Sequence, residues 1–119
     1  MNPVTTQHMS LELVDGVAVV RLLDVEIFRE EQIYEIRDGL FSLVDDGGYK
    51  KILLDLSRCE LIVSLGLWQL IRLRARLLKA GGELRLCGLT PLVAEAMKIT
   101  GFDKILAIDV DQAGALARF

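Results

Sequence analysis

The chain has one histidine, two cysteines, no excess of basic residues, and no apolar run of the roughly 18 to 20 residues that a membrane crossing needs. Each shortage closes a class of function. His8 lies in the polar opening stretch MNPVTTQHMS, so a histidine-based catalytic centre is not expected, and residues 1–9 read as a loose tail. Cys59 and Cys87 stand in different segments without C-x-x-C spacing, which gives no support to a disulfide, a redox pair or a metal site. Small buried thiols are the simpler reading. The opening stretch also lacks the basic region and apolar core of a signal peptide, and a cytoplasmic location is the expectation. With 14 Lys and Arg against 17 Asp and Glu, the net charge of −3 disfavours nucleic acid as the partner.

Phosphate-binding and hydrolase signatures are missing too. Gly81-Gly82 is a turn and not a glycine-rich cradle, and no Walker-type loop is present. Ile62-Val63-Ser64-Leu65-Gly66 approaches the nucleophile elbow G-x-S-x-G, but Ile62 stands where its first glycine belongs. No catalytic residue, cofactor or metal site is expected, and the chain reads as non-enzymatic.

What the sequence does contain is a core. Hydrophobic residues make up 52% of 119, enough for one folded domain over 10–119. Ser10 to Leu23 alternates around Asp15-Gly16, a dipeptide suited to a tight hairpin turn. Asp24 to Arg29 is a connector. Glu30 to Val44 has Ile33, Ile36, Leu40, Phe41 and Val44 at helical spacing, with acids in the first turn. Ile52–Leu56 is an apolar run suited to a strand covered on both faces.

The organising unit follows. After the patch Leu61-Ile62-Val63, residues Ser64 to Ala80 form an amphipathic helix ending at Gly81-Gly82. Leu67, Leu70, Ile71, Leu73, Leu77 and Leu78 are placed on its core face, and Gln69, Arg72, Arg76 and Lys79 on its solvated face. Leu65 falls on the solvated side and Trp68 on the border. Glu83–Cys87 is another strand, and Thr90-Pro91 opens a helix with a capping hydroxyl and a first-turn proline. Gly101 ends that helix, Lys104–Ile108 reads as the last strand, and Asp111–Arg118 as a weak terminal helix. Strands alternating with helices imply one α/β domain with a mostly parallel central sheet, an N-terminal β-hairpin and helices packed around it.

Three segments, ILLDLSRCELIVSLGL (52–67), LLKAGGELRLCGLTPLV (77–93) and AMKITGFDKIL (96–106), carry a resemblance to the STAS domain, the fold of bacterial anti-sigma-factor antagonists and of sulfate-transporter tails. The family's usual text there is a strand ending in Asp-Leu-Ser, a loop, and Asp-Ser-Ser/Thr-Gly-Leu opening a helix. Ser64, Gly66 and Leu67 match it. Val63 stands in place of the aspartate and Leu65 in place of the following Ser/Thr, and VEIFRE (25–30) has no clear match for the family's usual acidic residue there. The resemblance implies a phosphorylation site at Ser64 and a partner that is a serine kinase-like anti-sigma factor.

The residues themselves suggest two roles at this helix start. The Ser64 hydroxyl suits an N-cap, while free N–H groups and the helix dipole suit an anion such as a phosphate. Leu65, Gly66, Trp68 and Arg72 are the candidate partner-binding residues, since aromatic residues and arginine are enriched in interface anchors. Two rival readings stand beside this: a nucleotide- or small-molecule-sensing module, and a homodimeric or larger self-assembling scaffold with no phospho-switch.

Overall fold

The computed structural model describes residues 7–119. Asp15 and Gly16 both take positive φ, 51° and 80°, the backbone a two-residue hairpin loop requires. They join β1 (Met9–Val14) to β2 (Val17–Leu22) in an antiparallel pair with Val14 opposite Val17. The folded body begins earlier than the tail reading placed it. Met9 opens β1 with 2% exposure, and His8 is buried beside it.

The 24–29 connector holds a short strand, β3 (Glu26–Ile27), ahead of α1 (Glu30–Asp45). Strand β4 (Lys51–Asp55) is buried from Ile52 onward, and the patch before the organising helix is a strand as well, β5 (Leu61–Ile62). Helix α2 (Ser64–Lys79), β6 (Glu83–Cys87) and α3 (Pro91–Thr100) follow. Gly101 closes α3 in the left-handed conformation. The last strand sits later than the sequence pattern suggests: residues 102–104 form a 3₁₀ turn, and β7 is Ala107–Asp109. Helix α4 (Gln112–Leu116) ends the chain, with Asp111 as its cap, accepting from the Gly114 N–H at 2.8 Å.

The main sheet has the order β1-β2-β4-β6-β7, parallel throughout except for β1. Its registers place Ala18, Ile52 and Leu84 in one row and Val20, Leu54 and Leu86 in the next. These point into a single core shared with Ile33, Leu40, Leu67, Leu70, Leu73, Val93 and Met97 of α1, α2 and α3. The opposite face is thinner. There Ala115 of α4 covers Val17, Val19, Leu53 and Cys87. The rest of that face is charged, with Arg21 paired to Asp55 at 3.3 Å and Asp109 held by Arg85 and Arg118 at 2.8 and 3.0 Å. Burial pushes the thiols of Cys59 and Cys87 up to about 11. Among the described residues no helix is long and apolar enough to cross a membrane.

Helix α2 is rotated relative to its sequence reading. Leu67, Leu70, Leu73 and Leu77 face the core as expected, but Leu78 is 50% exposed and Gln69 is buried. The apolar arc of α2 is wider than the surface it covers, so leucine spacing alone does not fix its phase.

Candidate functional site

The start of α2 hangs on the small parallel sheet β3–β5. Glu26 lies opposite Leu61 and Ile27 opposite Ile62. The carbonyl of Val25 accepts from Glu60 N–H at 2.7 Å, and that of Ile27 from Val63 N–H at 3.0 Å. From the other side, Thr90 Oγ1 donates to the carbonyl of Cys59 at 2.7 Å. The expected Thr90 cap on α3 is therefore absent, since its hydroxyl ties the β4–β5 loop to the head of α3.

Val63, not Ser64, is the N-cap. Its backbone is extended, and its carbonyl accepts from the N–H groups of Gly66 and Leu67 at 2.9 and 3.1 Å. Ser64 is the first helical residue, exposed, and no side chain caps the helix. The capping role expected for the Ser64 hydroxyl is corrected on this point. Val63 and Leu65, the two departures from the usual family text, are half-buried and pack against the core. Leu65 thus lies further in than its expected place on the solvated side.

Gly66 is buried. A Cβ there would stand 2.8 Å from Ile62 Cγ1 and 3.5 Å from Ile27 Cγ2. The glycine lets α2 seat directly on the β3–β5 pair, so it supports the site from beneath and is not itself on the surface. Ser64, Trp68 and Arg72 lie four residues apart and share one exposed stripe of the helix. Trp68 is 53% exposed and meets the Phe102 ring edge-on, with centroids 4.9 Å apart at 71°. Leu61 of β5 and Phe28, the residue that follows β3, are also exposed. The Arg72 guanidinium donates to Gln69 Oε1 at 3.3 Å and lies 5.7 Å from the Phe41 ring centre, while Gln69 Nε2 donates to the Leu65 carbonyl at 3.0 Å. Buried Gln69 thereby orients Arg72. No acidic residue occupies the first turn of α2, so the positive end of the helix dipole is unopposed there.

A second group of residues, unforeseen from the sequence, supports this site. His8 Nε2 lies 2.7 Å from Glu35 Oε2, and His8 Nδ1 lies 3.0 Å from Asp24 Oδ1. Gln32 Nε2 donates to Asp24 at 2.6 Å and to the Glu26 carbonyl at 2.8 Å, while its Oε1 accepts from the N–H groups of Phe28 and Arg29. These four side chains pin the connector, β3 and α1 together. Burial opposes protonation of His8, but its hydrogen bonds to Glu35 and Asp24 outweigh that cost and hold its pKa above the ordinary histidine value.

Comparison with known proteins bears on the fold that carries this helix start. The sequence profile of the STAS domain matches residues 8–115. A Bordetella bronchiseptica protein named as an anti-sigma factor antagonist, BtrV, is 30% identical over 93% of each chain. The crystal structure of a Thermotoga maritima protein, TM1081, described by its similarity to anti-sigma factor antagonists, superposes with a TM-score of 0.81, at 24% identity over 94% of each chain. SpoIIAA, a Bacillus cell fate determinant solved in its phosphorylated form, superposes with a TM-score of 0.68, at 19% identity over 92% of this chain and 97% of its own.

Proposed function

Because the chain belongs to the STAS domain family, we propose that it is a non-enzymatic docking module of the anti-sigma-factor-antagonist type, switched by phosphorylation of Ser64. Its partner is a serine kinase-like anti-sigma factor that binds the stripe of Ser64, Trp68 and Arg72 together with Leu65. The observation that carries this reading is the position of Ser64: exposed, at the first helical position, and free of the capping duty that Val63 performs.

The physical consequences of modification follow from that position. A phosphate brings about two negative charges and three acceptor oxygens. At the head of α2 the dipole and the first-turn N–H groups favour it, so the helix tolerates the charge. The surface does not. One turn along, Trp68 offers an apolar contact area that a partner must desolvate, and a nearby dianion raises the cost of excluding water there. Modification therefore weakens docking while leaving the fold intact. Val63 and Leu65 are half-buried aliphatic residues, so Ser64 is the hydroxyl presented at this helix start, and the open part of Leu65 stays within a partner's reach.

The test is a titration of the partner retained by the wild-type chain from its native cells. Ser64→Ala is expected to bind like wild type, Ser64→Asp at least about tenfold more weakly, and Trp68→Ala more weakly than either through loss of an interface anchor. Equal binding by Ser64→Ala and Ser64→Asp would exclude the switch.

A further inference from the structure

Between α1 and α2 lies an open cleft of about 530 Å³. Its α2 wall carries Arg72, Arg76 and Lys79. Its α1 wall carries Phe41 and Asp45, and Ala75 lies among them. Three cations therefore meet one carboxylate, on a chain whose net charge is negative. Arg76 is paired with Asp45 at 3.1 Å and lies 4.2 Å from the Phe41 ring centre. Both members of that pair are nearly half exposed, so exchange of Asp45 for an incoming carboxylate costs little.

The spacing selects the kind of occupant. Arg72, Arg76 and Lys79 stand at i, i+4 and i+7, a row about 10 Å long at 1.5 Å rise per residue. A small anion would engage one or two of these groups. Carboxylates at the same spacing on a second helix laid along the cleft engage all three, and its small apolar side chains cover Phe41 and Ala75. We infer that this cleft is a docking groove for an acidic amphipathic helix of a protein partner. Arg72 begins it two turns beyond Ser64, so one partner can span both, but the groove stands without any modification at Ser64.

The experiment uses the full chain, isotopically labelled, titrated with two ~18-residue peptides long enough to form helix. Both have the same composition. In one, glutamates lie at i, i+4 and i+7 beside alanine and leucine; in the other the same residues are permuted so that the acids surround the helix. The patterned peptide is expected to shift the amides of Phe41, Arg72, Arg76 and Lys79 saturably, and to weaken with added salt. Arg72→Glu/Arg76→Glu is expected to reduce its affinity at least about tenfold, and Lys79→Glu, at an exposed position, gives the same direction should the double variant fail to fold. Equal affinity for both peptides, or saturation at other residues, would overturn the inference. So would dimerisation of the chain itself through the cleft, seen by light scattering and lost in the double variant. Ser64 plays no part in this titration, so failure of the phospho-switch would leave its result standing.

Discussion

The N–H of Val63 donates to the carbonyl of Ile27 at 3.0 Å, which hangs the first turn of α2 on a two-residue strand. The position of Ser64 is therefore set by β3, and β3 is in turn held by the side chain of Gln32, which contacts Asp24, Glu26, Phe28 and Arg29.

Replacing Gln32 by alanine removes those bonds and leaves a largely buried carboxylate, a carbonyl and two N–H groups short of partners. The expected loss is about 2 kcal/mol by denaturant unfolding. Hydrogen exchange at the Val63 amide is expected to quicken more than exchange at Leu54 in the central strand. Equal effects at both amides would mean that Gln32 stabilises the domain without specifically seating β3.

Much of this frame is legible in the sequence, and the exceptions share physical causes. Asp15-Gly16 marks the hairpin, and the 3.6-residue spacing of Ile33, Ile36 and Leu40 marks α1, because each signal is local. β3 and β5 escape notice because two residues make no period. His8 reads as tail because Asp24 and Glu35, its partners, are 16 and 27 positions away. Ser64 reads as a cap because serine favours that role, whereas Val63 caps with its backbone alone and leaves no residue signature. Leu78 and Gln69 change places because α2 has more leucine than its contact face needs.

The His8 cluster makes stability depend on pH in a definite direction. A histidine whose folded pKa is raised binds its proton more tightly in the native state, so its contribution is complete below the unfolded value near 6.5. That contribution is lost as pH rises from there through the raised value. The melting temperature of wild type minus that of His8→Gln is therefore expected to shrink as pH is raised through that window. A difference that grows with pH would show that neutral His8 is the form the fold prefers.

Gly66 has no room for a side chain. Gly66→Ala sets a methyl 2.8 Å from Ile62 Cγ1, and the strand or the helix must move to admit it. A destabilisation of about 1 to 3 kcal/mol is expected, together with weaker partner binding, because the displaced element carries Ser64. Unchanged stability would mean that the Ile62 side chain turns aside freely and that close seating of α2 on β5 is dispensable.

The proposed switch rests on Ser64. Intact mass and site mapping of the protein, purified from its native cells with and without stress, tests this directly. A working switch gives a single phosphate on Ser64 whose occupancy changes between the two conditions. An unmodified Ser64 in both conditions would contradict it and leave α2 as a docking surface without a switch.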